Sequence, residues 1–281
     1  MRDSGMPNAG YHDLDIPRIT SMNTTAPLHL LTIADGVAVV TLNRPEAMNS
    51  LNSQLRDELT ALLPKLDLDD NVRVIVITGA GDKAFCSGAD LKERAGRTTA
   101  AMVHDRLNVV ARWTSMVADI RKPVLAAING YCMAGGFELV LQCDISIASE
   151  RAIFSLPETT HGFFPGGGAC QRLPRLVGVQ KAKELIFTGR RWDAKEAAEL
   201  GLVNKVVPHE KVMEETMAMA KRIAANPSIG VIQSKSAINQ SQEVGVTPGL
   251  RFDNQAWVGC MHSDEWKEKL GGFVRKERKP D

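Results

Sequence analysis

The chain has 281 residues, 44% of them hydrophobic and 24% charged, with a formal net charge of +1. That balance suits a soluble core of one large domain, or a domain with an appended helical piece, and leaves no global charge to hold nucleic acid or an anionic membrane. No apolar run nears the roughly 18–20 residues a bilayer-spanning helix needs. Five cysteines without paired short spacing (Cys86, Cys132, Cys143, Cys170, Cys260) suit reduced thiols in a cytoplasmic compartment better than disulfides or a zinc site.

In chain order, residues 1–27 are polar, rich in Asn, Thr and Pro, and read as a disordered leader; they lack the apolar core of a secretory signal. Leu28–Ile33 and Val37–Leu42 flank Asp35-Gly36, a hairpin signature. Leu51, Leu55, Leu59, Leu62 and Leu66 recur at helical spacing, with Ser50 and Ser53 as candidate caps. Val72–Thr78 is nearly all apolar, as a strand covered on both faces would be. A glycine-bearing loop, Gly79 to Asp90, leads into a helical region that ends before Lys122-Pro123. Strands then follow at Val124–Ile128 and Asp144–Ala148, with a short helix from about Gly136 between them. This alternation predicts an α/β fold. Beyond Pro165 the pattern turns helical: Ala182–Phe187, Asp193–Leu200, Lys211–Ala225, Ser228–Gln240 and Pro248–Met261, with Val203–Val207 as the lone strand.

Three segments combine glycine, a carboxylate and adjoining strand: Ala84–Lys92, Ile128–Leu139 and Phe154–Gly168. In open α/β proteins ligands gather at the C-terminal ends of strands. Backbone N–H groups at a helix start can hold an anionic oxygen, and glycine permits close approach there. Gly135-Gly136 could equally serve only to pack a helix on a strand. Glu138 lies among Phe137, Leu139, Val140 and Leu141, where an isolated carboxylate is costly and needs a partner, a shifted pKa or a task. Glu138 and Glu158 could divide acid and base roles. On spacing alone, Glu158 could instead cap a helix and Glu138 be a satisfied core acid.

Leu42-Asn-Arg-Pro45 with Asn49, Phe85–Glu93, Lys122-Pro-Val with Ala126–Gly130, Gly135-Gly-Phe-Glu-Leu139, Cys143-Asp144, Pro157-Glu158, Pro165–Gly168, Gln171-Arg-Leu-Pro174 and Gly201-Leu-Val203 follow one another in order. Across Leu28 to Lys279 the chain resembles the crotonase (enoyl-CoA hydratase/isomerase) superfamily. The resemblance implies a spiral of ββα turns over residues 28–210 and a C-terminal helical oligomerisation region, 211–281, that builds a homotrimer or a dimer of trimers. It implies an acyl-CoA thioester as substrate and an oxyanion hole at the N–H groups of Ala89 and Gly135. Glu138 would orient and deprotonate water, and Glu158 would deliver a proton to the α carbon. Around them Ala47, Gly88, Asp90, Leu91, Lys92 and Gly136 would contact substrate, with Phe273 and Lys276 reaching a neighbouring subunit's coenzyme A. No cofactor is implied, since coenzyme A enters as part of the substrate.

The presence of both glutamates favours hydration over isomerisation. Asp90–Ala95, Ala182–Phe187 and Ala237–Gln240 also resemble the branch containing methylglutaconyl-CoA hydratases. A relative that binds RNA is the alternative from another class; the basic tail Arg275–Lys279 and the Lys-bearing helices allow it, but a net charge of +1 offers only a small electrostatic footprint. His161, Cys86 and Cys132 read as structural, and Trp113 as either core or acyl-pocket lining.

Overall fold

A computed structural model describes residues 26–277, without the side chains of 109–111 and 273–277. The leader therefore lies almost wholly outside the described residues. The architecture is mixed α/β, with two sheets. The larger has six strands in the order β1 (His29–Ala34), β2 (Val37–Leu42), β3 (Val74–Gly79), β5 (Val124–Ile128), β7 (Ile145–Ser149) and β10 (Lys205–Val207). The smaller has four short strands, β4 (Ala84–Cys86), β6 (Tyr131–Met133), β8 (Ile153–Ser155) and β9 (Arg191–Asp193). Successive strands thus alternate between sheets: β3 then β4, β5 then β6, β7 then β8. Each pair is one turn of a spiral, as the family resemblance implies. Among the described strands, only β1–β2 and β8–β9 pair antiparallel.

Asp35 and Gly36 both hold positive φ, 52° and 75°, the mirror-image turn that matches strand twist in a two-residue hairpin. The leucine-spaced helix runs Ser53–Leu68 and buries Leu55, Leu59, Leu63 and Leu66. Its cap is Asn52, whose side chain accepts from the Leu55 N–H, rather than Ser50 or Ser53. Ser50 instead accepts from Arg44, and the Ser53 N–H donates to Glu93 Oε2. Asp193 caps the Ala194–Glu199 helix, accepting from the Glu196 N–H. The helical region before Lys122 is broken into Leu91–Ala95, Thr99–Asp105, a π-helical stretch Arg106–Val110, and Ala111–Trp113.

The main core lies between the large sheet, the small sheet and the Ser53–Leu68 helix. A second cluster covers the sheet's outer face, where Val212, Ala220 and Ala224 of the Val212–Ala224 helix meet Val74, Val76, Leu125 and Ile147. Past Ser228 the helices bury little: Lys235 alone in Ser228–Ser241, and nothing in Val246–His262. Lys235 is an anchor. Its Nζ donates to Asp144 Oδ2 at 2.7 Å and to the Lys122 carbonyl at 3.0 Å. Asp144 Oδ2 also accepts the Val124 N–H, and Lys122 Nζ caps the last carbonyls of the Ser53–Leu68 helix at Leu66 and Asp69. The Lys122-Pro and Cys143-Asp144 motifs are therefore joints, in which Asp144 is paired with Lys235 and the Lys122 ammonium is held by backbone carbonyls. All five cysteines are unpaired, and no described helix is long and apolar enough to cross a membrane.

Candidate active site

Three adjacent parallel strands of the small sheet, β4, β6 and β8, each release one chemistry-bearing segment at their C-terminal ends. Ala89 follows β4, the Gly135–Val140 helix follows β6, and Glu158 follows β8. The site is thus at strand ends, as the sequence suggests, but these are strands of a sheet that the sequence pattern does not reveal. They are three residues each, too short for any periodicity to register.

A Cβ on Gly135 would lie 3.6 Å from the Gly88 Cα and 3.8 Å from the Ala89 nitrogen, so the two loops run side by side. As the first residue of its helix, Gly135 has no intrahelical acceptor for its N–H. Around Ala89 the flanking groups are used: the Leu51 N–H donates to the Gly88 carbonyl at 2.7 Å and the Asp90 N–H to the Leu51 carbonyl at 3.1 Å. Both Ala89 and Gly135 are half-exposed, whereas Gly88 and Gly136 are buried. The adjacent glycines separate in role. A Cβ on Gly136 would overlap the Cys86 carbonyl oxygen and sit 2.8 Å from its carbon, so Gly136 packs the helix on β4.

Ala134, immediately before this helix, holds φ 50° and ψ −127°, a conformation suited to glycine. Its N–H donates to the Ser155 carbonyl, tying β6 to β8. Ala134→Gly is expected to stabilise the fold by about 1 kcal/mol as the strain is released. Urea unfolding measures this, and an unchanged or lower stability would show that the loop is unstrained.

Glu138 stands three residues after Gly135, is 5% exposed, and is held by the glycine run. Its Oε1 accepts the Gly167 N–H at 2.5 Å and the Ala169 N–H at 3.2 Å, the latter at the start of the Ala169–Val177 helix. A Cβ on Gly167 would overlap Glu138 Oε2, so only glycine lets the backbone come this close. Burial raises the Glu138 pKa. The two amides and the Arg106 and Arg172 charges oppose that rise. This cradle is missed in the sequence, although three glycines opening a helix were its signal.

Glu158 lies in the 3-10 turn Pro157–His161 and is half-buried. Burial, joined by the negative charge of Glu138, raises its pKa to about 7, while its own backbone and Arg94 act the other way. Its Oε2 is buried with no hydrogen-bond partner among the described residues, a costly state that a substrate or water hydrogen bond would relieve. Cys170 registers both carboxylates. Burial, then Glu138, then Glu158 push its thiol pKa up.

The remaining positions divide. Asp90 caps the Leu91–Ala95 helix, accepting from Lys92 and Glu93, and pairs with Arg44 at 2.9 Å. Burial works to raise its pKa, but Arg44 and the capping amides carry it below the usual carboxylate value. Its carboxylate is thus committed to the scaffold. Leu91 and Lys92 are exposed and Ala47 is half-buried beside Ser87. Phe273 and Lys276 lie on the Asp264–Glu277 helix, with side chains outside those described. His161 is exposed, Cys86 and Cys132 are fully buried, and Trp113 belongs to the core at 6% exposure. Arg44 and Asn49 emerge as structural partners of the site. Asn49 is fully buried, and its side chain ties Arg44 to the Ala80 and Ala84 carbonyls.

The sequence profile described as Enoyl-CoA hydratase/isomerase matches residues 32–281. The chain is 38% identical over 247 residues to a short-chain-enoyl-CoA hydratase of Clostridium acetobutylicum, covering 86% of this chain and 92% of that one. It is 38% identical over 242 residues to a mitochondrial enoyl-CoA hydratase of Pongo abelii, covering 86% and 82%. The crystal structure of an enoyl-CoA hydratase from Bacillus anthracis superposes with a TM-score of 0.85 at 43% identity, covering 89% of this chain and 97% of that one.

Proposed function

The chain belongs to the enoyl-CoA hydratase/isomerase family, the crotonase superfamily, and from that premise we propose that it is an enoyl-CoA hydratase, a lyase adding water across the 2,3 double bond of an enoyl-CoA thioester. The observation that carries this reading is the pair of glutamates set in unlike surroundings beside two free-facing amides. Glu138 has its carboxylate fixed by two N–H groups. Glu158 keeps an unpartnered oxygen and a pKa near neutrality.

In the reaction, the Ala89 and Gly135 N–H groups donate hydrogen bonds that stabilise the charge growing on the thioester oxygen as the β carbon is attacked. Glu138, ionised, takes a proton from water, whose oxygen bonds to the β carbon. Glu158, protonated, delivers its proton to the α carbon. No cofactor is required, since coenzyme A arrives on the substrate. The two glutamates end in exchanged protonation states, and proton exchange with solvent resets them.

The test is crotonyl-CoA in water labelled with heavy oxygen and deuterium. Solvent oxygen should appear at the β carbon and solvent hydrogen at the α carbon. A 3-enoyl substrate shifted to 2-enoyl with no oxygen uptake would make the chain an isomerase instead. Enoyl thioesters differing in length and branching, methylglutaconyl-CoA among them, then define the acyl group.

Because hydration needs Glu158 protonated in the free enzyme, kcat/KM for hydration is expected to fall as pH rises through about 7. Dehydration starts from the tautomer with Glu158 ionised and Glu138 protonated, which carries the same number of protons, so its kcat/KM should follow the same profile. A hydration profile that stays flat through neutrality would remove Glu158 from the proton transfer.

The proposal extends to a cytoplasmic homotrimer or dimer of trimers acting in fatty-acid metabolism. Leu250, Trp257, Val258, Met261, Trp266 and Leu270 of the last two helices are 43–65% exposed, an apolar surface suited to burial against another copy. Light scattering at micromolar concentration should return three or six times the 30.6 kDa protomer, and a monomer mass would end this extension.

A further inference from the structure

A trans peptide points its C=O and N–H in opposite directions. The plane joining Gly88 to Ala89 therefore has one side for each. On one side the Leu51 N–H holds the Gly88 oxygen at 2.7 Å. The Ala89 N–H must point away from Leu51, and the Gly135 loop lies close to its nitrogen. Leu51 is thus the anchor on the far side of the donor's peptide plane, and what fixes Leu51 fixes the donor's direction.

What fixes it is Arg44. Its Nη1 donates to the Ser50 carbonyl at 2.6 Å and to Ser50 Oγ at 3.0 Å, and its Nη2 reaches Asp90 Oδ2 at 2.9 Å. The two side chains are 14% and 13% exposed. One planar guanidinium therefore spans the residue before Leu51 and the residue after Ala89. The Ser53 N–H to Glu93 Oε2 bond, 2.9 Å, closes the same two segments further along. Asn49, whose Oδ1 accepts the Arg44 N–H, holds the backbone from which the guanidinium reaches.

We infer that Arg44 is a positioning residue of the oxyanion hole: by clamping Ser50 to Asp90 it sets the direction of the Ala89 N–H toward the thioester oxygen. Asp90 acts in the same clamp through its carboxylate. The inference rests on the proposed role of Ala89 as an oxyanion donor. A donor turned or displaced by a fraction of an ångström loses charge stabilisation while the rest of the binding surface persists.

The experiment uses the full chain and two probes, crotonyl-CoA for turnover and cinnamoyl-CoA for spectroscopy. The cinnamoyl thioester absorbs at longer wavelength when its carbonyl is polarised by hydrogen bonds. Bound to the parent protein it should show a red shift. In Arg44→Met we expect at least half of that shift to be lost, with kcat lowered roughly 10–100-fold and KM within about threefold. Arg44→Lys should recover only part of the shift, since an ammonium cannot span Ser50 and Asp90 in the same planar geometry. Asp90→Asn keeps an acceptor for the capped amides, removes the ion pair, and should move both readouts in the same direction by less. A merely structural role would lower the folded fraction without changing the spectrum of bound probe. Folded variants with the parent's red shift and kcat would overturn the inference, and if Arg44→Met does not fold, Asp90→Asn decides it. A parent that shifts the probe but hydrates no enoyl-CoA would instead overturn the hydratase reading and leave Arg44 where it is.

Discussion

Replacing Glu138 or Glu158 by Gln is expected to lower kcat by roughly 10²–10⁴-fold each. The double variant should lose far less than the product of the two, because both act in one proton-transfer unit. The structure says why Gln is an informative substitute. In Glu138→Gln the side-chain oxygen can still accept the Gly167 and Ala169 N–H groups, so the cradle survives. What disappears is the basic oxygen that would take the water proton. In Glu158→Gln the change falls on a group poised to gain or lose a proton near neutrality. Steady-state rates with crotonyl-CoA, beside a thermal melt for each variant, measure the outcome. A nearly silent Glu138→Gln with a severe Glu158→Gln would describe an isomerase and leave the oxyanion hole standing.

Gly135 and Gly136, neighbours in sequence, are expected to fail in different ways. Gly135→Val should fold and lose turnover by about 10²-fold or more, since its side chain would occupy the approach to one of two oxyanion donors. Space for a first carbon exists there, with the nearest neighbour at 3.6 Å. Gly136→Ala, though smaller, should damage the fold itself, because its Cβ would overlap backbone of β4 that cannot swing aside. Circular dichroism and expression yield separate the two cases. An active Gly135→Val would remove Gly135 from the oxyanion hole, and a well-folded Gly136→Ala would mean that β4 yields.

The large sheet was legible in the sequence because β2, β3, β5 and β7 are runs of five or six mostly buried residues, and the Asp35-Gly36 hairpin because its turn chemistry is specific. The small sheet was not: Tyr131–Met133 and Ile153–Ser155 carry no period, and their pairing is set by the spiral. The site was half legible. Glu138 announced itself as a carboxylate in an apolar helix, but its holder, Gly167, is 29 residues away and contributes only backbone. The resemblance places Asp90 among the substrate contacts, while the pairing of its carboxylate with Arg44, 46 positions earlier, is visible only in the structure. By residue pattern alone Gly135 and Gly136 are alike, and the space beside each separates them physically.

The Lys235 anchor also sets where cooperative melting ends. It fastens the Ser228–Ser241 helix to the Val124 and Ser53–Leu68 layers, so opening that helix means breaking a buried charge pair. Beyond it the Val246–His262 helix buries no residue in the protomer. Its amides can then exchange with deuterium by local fraying while the core stays closed. Slow exchange in that helix would therefore report cover from a second molecule, and its time course on dilution would follow the separation of subunits.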